Sequence, residues 1–97
     1  MDVFQSRDGD KVTYTIKGKI DANMESILKK ELQLDGVKEL VLDLRDVDYV
    51  FSAGLRVLLQ AQKTMNANNG TMKIINVQDS VKEMLDIVGF TDIMDIE

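Results

Sequence analysis

Ser52 is the residue in this chain best placed to do chemistry. It is followed by Ala53 and Gly54, which carry almost no side chain, and a helical stripe begins at Leu55. A serine at such a junction has two uses. Its hydroxyl can cap the helix by accepting a bond from an early amide, or it can carry a phosphate, because exposed amides and the positive end of the helix dipole favour an anion. Leu55 takes the third helical position, so no capping-box carboxylate stands there to repel an incoming charge. The small side chains at 53 and 54 would let a partner approach closely. Arg56, one turn in, faces solvent or a partner carboxylate. Asp21 precedes another helix, where it can cap or contact a partner. Asp46 and Asp48 are loop carboxylates, and no motif supplies the further oxygen ligand that would make them a magnesium site.

Other chemistries lack their residues. With no Cys there is no disulfide, thiolate nucleophile or Cys-ligated zinc, and with no His a nucleophilic Ser52 would have no imidazole base. Neither Gly-x-x-x-x-Gly-Lys-Ser/Thr nor Gly-x-Gly-x-x-Gly after a strand occurs. Ninety-seven residues suffice for one domain and one core. Twelve basic against seventeen acidic side chains give a net charge of −5, which argues against a broad nucleic-acid or anionic-membrane surface. No apolar run approaches the roughly 20 residues of a spanning helix, and the first residues do not resemble a signal peptide. The expected location is the cytoplasm.

These side chains need a scaffold, and the patterning predicts one. Residues 3–7 and 11–17 flank Asp8-Gly9-Asp10 as a hairpin. Val12, Tyr14 and Ile16 alternate with Thr13, Thr15 and Lys17, so one face of the sheet is buried and the other wet. Gly18 to Asp21 leads into a helix over 22–34, with Met24, Ile27, Leu28 and Leu32 on one stripe and Gly36 as its stop. Residues 39–45 predict a central strand and 46–51 a loop. A helix over 53–68 turns Leu55, Leu58, Leu59 and Met65 inward. A strand over 72–77, a helix opened by a capping box at Ser80-Val81-Lys82-Glu83, with Val81, Met84, Leu85 and Val88 on one inward stripe and Gly89 at its end, and a short strand over 93–96 complete the chain. The fold class is α/β: a single domain over residues 1–97, with a mixed, mostly parallel sheet of four to five strands and helices packed mainly on one face. Right-handed crossovers would bring the loops at Gly18–Asn23 and Asp46–Gly54 to one rim, with Asp21, Asp46, Asp48 and Ser52.

The stretch Val41-Leu42-Asp43-Leu44-Arg45-Asp46-Val47-Asp48-Tyr49-Val50-Phe51-Ser52-Ala53-Gly54-Leu55-Arg56-Val57-Leu58-Leu59 resembles the central signature of the STAS family. That signature is an apolar strand, a short acidic loop, then Ser-Ser-Gly-Leu or Ser-Ala-Gly-Leu opening a helix. Gly18-Lys19-Ile20-Asp21-Ala22-Asn23 resembles the family's first loop, and Ile75-Asn76-Val77 through Gly89-Phe90 its last strand and helix. The resemblance implies an anti-sigma-factor antagonist that binds an anti-sigma factor acting as a serine kinase, releases a sigma factor, and is switched off by phosphate on Ser52. A phosphatase resets it. It would bind neither nucleic acid nor membrane directly, use no cofactor or metal, catalyse nothing and act as a monomer. The surface meeting the kinase would comprise Asp21, Ala22, Asn23, Phe51, Ser52, Ala53, Gly54, Leu55 and Arg56.

Phe51 departs from the family, where Asp or Ser is frequent at that place. The ring turns either into the core or onto the rim. Rival readings are a non-phosphorylated STAS accessory of a transporter ATPase or stress-signalling complex, with Ser52 a plain cap, and a response-regulator receiver. A receiver would need at least one further helix–strand pair, an early acidic pair and a late Lys.

Overall fold

The turn at Asp8-Gly9-Asp10 tightens to two residues, since Asp8 and Lys11 already pair across the hairpin and Gly9 adopts a φ of 62°, open to glycine at no steric penalty. The structure, a computed structural model, describes residues 2–97. In chain order the elements are β1 (Val3–Asp8), β2 (Lys11–Ile20), α1 (Ala22–Glu31), β3 (Glu39–Val50), α2 (Ser52–Ala67), β4 (Thr71–Ile75), α3 (Asp79–Ile87), a 3-10 turn at Phe90–Asp92, and β5 (Asp95–Ile96). The strands form one sheet in the order β1-β2-β3-β4-β5, antiparallel between β1 and β2 and parallel thereafter.

That order decides where the helices lie. Each crossover steps one strand in the same direction, and right-handed crossovers that all step one way put their helices over the same face. Burial agrees. Val12, Tyr14, Ile16, Leu40, Leu42, Leu44, Met72 and Ile74 join one core with Leu28, Leu58, Met65, Val81 and Leu85 of the helices. The alternate positions, among them Lys11, Thr13, Thr15, Glu39, Val41 and Lys73, are exposed or half-buried. The predicted fold class holds, with five strands. No helix among the described residues is long and apolar enough to cross a membrane.

Several boundaries differ from the sequence reading, each for a physical reason. β2 and β3 run on to Ile20 and Val50, so Asp46 and Asp48 lie in a strand and not in a loop. Register shifts between Thr15 and Lys17 and between Gly18 and Lys19 interrupt the period of two. Along β3 the inward positions pass from Leu44 to Val47 and Val50, a spacing of three that hides the strand from an alternation test.

α1 stops at Glu31, short of Gly36. The buried Tyr14 hydroxyl donates to the Glu31 carbonyl at 2.8 Å and accepts from the Gln33 amide at 3.1 Å, so a side chain from the sheet closes the helix. α3 opens at Asp79 with Gln78 in the cap position and no side-chain cap bond, which places Ser80 inside the helix and removes the expected capping box. Ile27 and Val88, expected inward, are exposed. Leu55 and Leu59 are half-buried against the core. β4 ends at Ile75 and β5 is shorter than predicted, Ile93 lying exposed before it.

Candidate functional site

β2 and β3 end together, with Ile20 opposite Val50, and a helix starts one residue after each end. The Phe51 amide donates to the Ile20 carbonyl at 2.9 Å, so the starts of α1 and α2 are tied side by side. The two starts differ in chemistry. Asp21 caps α1, its Oδ1 accepting from the Met24 amide at 3.0 Å. At α2 the cap position belongs to Phe51, extended at φ −82° and ψ 173°, and no side chain caps the helix.

Ser52 is therefore the first helical residue and not the cap, which corrects one of its two sequence readings. It is exposed, and among the described residues its hydroxyl makes no hydrogen bond. The first turn of α2 holds no acidic residue. A helix end left this way keeps unpaired amides and partial positive charge directed at the rim.

The two small residues after Ser52 serve packing. Ala53 and Gly54 are buried, contrary to the expectation that they leave room for a partner. A Cβ on Gly54 would lie 2.6 Å from both Cγ2 and the carbonyl oxygen of Ile20 and 2.8 Å from Cγ1 of Val50. Only glycine lets the first turn of α2 rest on the strand ends. Leu55 then packs against the core, and Arg56 points outward, its Nε donating to Oε2 of Glu25 on α1 at 3.3 Å.

Phe51 lies on the rim, 44% exposed. Its ring meets that of Tyr49, 41% exposed, at a centroid distance of 4.5 Å and an angle of 53°. Residues two apart in extended chain share a face, so the spacing was visible in the sequence, but Tyr49 counted there only as part of a loop. Asp48 accepts from Lys19 at 3.4 Å across the strand ends. Asp46 is set further back, in register with Lys17, and does not join Asp21 and Ser52. Ala22 and Asn23 are exposed on the first turn of α1. The sequence reading missed Tyr49, Lys19 and Glu25. Among the described residues no cluster of three carboxylates offers a metal site. Between α1 and α2 runs a groove of about 450 Å³, floored by Leu28, Leu32, Val57 and Ala61, with Glu25 and Arg56 on its lining.

Comparison with known proteins gives concordant matches. A family model for the STAS domain matches residues 3–97. The anti-sigma-B factor antagonist of Listeria monocytogenes serovar 1/2a is 30% identical over 96 residues, spanning 96% of this chain and 84% of that protein. The anti-sigma factor antagonist SpoIIAA in its unphosphorylated form shares the fold with a TM-score of 0.84 at 13% identity, over 98% of this chain and 87% of that one. SpoIIAA in its phosphorylated form shares it with a TM-score of 0.77 at 12% identity, over 98% and 90%.

Proposed function

The chain belongs to the STAS domain family, and from that premise we propose that it is an anti-sigma-factor antagonist switched off by phosphate on Ser52. Residues 1–97 act as one STAS domain in the cytoplasm. The unmodified form docks on an anti-sigma factor that is also a serine kinase, and a sigma factor is released. The kinase supplies ATP and the catalytic base. The Ser52 oxygen forms a bond to the γ-phosphorus as the bond from that phosphorus to the β–γ bridging oxygen breaks. ADP leaves, and the hydroxyl proton passes to the base. A phosphatase later restores the hydroxyl. The protein itself catalyses nothing.

One observation carries this reading: Ser52 offers a free, exposed hydroxyl at a helix end with neither a capping side chain nor a carboxylate in its first turn. The charge around it supports a gate. Lys19 and Arg56 stand against Asp21, Glu25 and Asp48, a local sum of −1. A phosphate adds about −1.5 to −2 at neutral pH, which more than doubles the negative charge a docking partner must face. A penalty of roughly 3 kcal/mol would weaken binding over a hundredfold. Asp21, Ala22, Asn23, Phe51 and Arg56 form the rest of the contact, with Ala53, Gly54 and Leu55 supporting it from beneath.

A pull-down from native lysate tests this, with wild type, Ser52→Ala and Ser52→Asp as baits and mass spectrometry of both bait and prey. Wild type and Ser52→Ala should retain an anti-sigma factor with kinase activity, and Ser52→Asp should lose it. Added ATP should place phosphate on Ser52 of the wild type alone. Equal capture by all three baits, with Ser52 unmodified, would leave Ser52 as an ordinary helix residue.

A further inference from the structure

The Glu25–Arg56 pair links the first turn of α1 to α2 one turn in from Ser52, and it engages little of the guanidinium. Nε donates to Glu25 at 3.3 Å, and among the described residues neither η nitrogen makes a hydrogen bond. The Arg56 side chain is 68% exposed and that of Glu25 15%, so the carboxylate is the held partner and the guanidinium the movable one.

Ser52 and Arg56 are four residues apart on one helix, which makes them neighbours on its surface. Helical side chains lean toward the N-terminus, so Arg56 covers the turn that begins at Ser52. We propose that Arg56 receives a phosphate on Ser52 through its free η nitrogens, and that Glu25 holds the guanidinium in place until then. The inference rests on the reading of Ser52 as the modified residue. A phosphate offers about −1.5 to −2 charge and three acceptor oxygens against the single charge of Glu25, and it can take two guanidinium donors at once. Modification therefore draws Arg56 from α1 to its own helix and leaves Glu25 unpaired at the groove between them. Arg56 is a positioning residue for the phosphate.

The test installs phosphoserine at position 52 by genetic encoding, so that it needs no kinase. The second ionisation of the phosphate is followed by phosphorus NMR against pH in wild type, Arg56→Gln and Glu25→Gln. A contacting cation lowers the pKa of an acid by about 1–3 units, so Arg56→Gln should raise the phosphate's pKa by about one unit, tenfold in proton affinity. Glu25→Gln should lower it below wild type by releasing Arg56 completely. Asp21, Asp48 and Lys19, which also face this rim, are the same in all three proteins. Equal pKa values in wild type and Arg56→Gln would overturn the proposal, as would a phosphoprotein that no longer folds. An unchanged value in Glu25→Gln would remove the holding role. A finding that cells never modify Ser52 would overturn the function proposed above and leave this titration as it stands.

Discussion

Phe51 occupies two positions at once, the N-cap of α2 and one half of the rim pair with Tyr49. Replacing it with Asp has opposing effects. The aromatic contact is worth about 0.5–1.5 kcal/mol, and an Asp cap contributes about 0.5–2 kcal/mol over an apolar residue. Phe51→Asp should therefore melt close to wild type, while its binding to the proposed anti-sigma partner should weaken tenfold or more, as loss of an exposed aromatic anchor does. A melt that collapses would put the ring in the core. Gly54 sits at the opposite extreme, since its missing Cβ is occupied space. Gly54→Ala must push α2 off the Ile20 carbonyl, which cannot yield as a side chain can. Overpacking of this kind costs about 1–3 kcal/mol. At roughly 4–8 °C per kcal/mol for a domain of this size, the melting temperature should drop by about 4 °C or more, and a scanning calorimeter would detect it.

Elements were legible in the sequence where one local rule governed them, and illegible where a distant residue intervened. Val12, Tyr14 and Ile16 announced β2 by alternation, and the stripes of α1, α2 and α3 announced the helices. The far ends of β2 and β3 were not readable, because register shifts between the two strands change which residues face inward. The end of α1 is set by Tyr14, seventeen positions from the carbonyl it binds. The start of α2 is one residue earlier than predicted because the Phe51 amide is held by Ile20, which keeps Phe51 extended and gives it the cap. The rim was readable from strand–helix order as the meeting place of Asp21, Asp48 and Ser52, but that order leaves Phe51 open between core and rim and brings Asp46 too far forward. The Glu25–Arg56 pair was not readable, since 31 residues separate its members. Two substitutions probe elements directly. Asp21→Ala removes the cap of α1 and should lower stability by about 0.5–2 kcal/mol, measurable by urea titration. Leu42→Asp, at a central position of β3 that is 1% exposed, buries an unpaired charge and should leave the domain unfolded by circular dichroism.

For the whole molecule, one layer of helices suffices: the radius of gyration is 12.1 Å, against about 12.5 Å expected for a folded chain of this length. The bare face of the sheet stays wet through polar positions such as Lys11, Thr13, Glu39 and Lys73, the last tied to Glu97 at 3.0 Å. The bond from the Phe51 amide to Ile20, with Gly54 seated on both strand ends, has a consequence for rates. A rim already assembled meets its partner by rigid-body docking, for which association rate constants of about 10⁵–10⁷ M⁻¹ s⁻¹ are usual. Charge added at Ser52 should then act on residence time more than on encounter. In surface plasmon resonance against the proposed anti-sigma partner, Ser52→Asp should dissociate about a hundredfold faster while its association rate constant moves by less than tenfold, because affinity differences within one interface fall mainly on the off-rate. A slow, concentration-independent phase in wild-type association would mean that the strand ends must first rearrange, and that the clamp at Gly54 opens before a partner can stay.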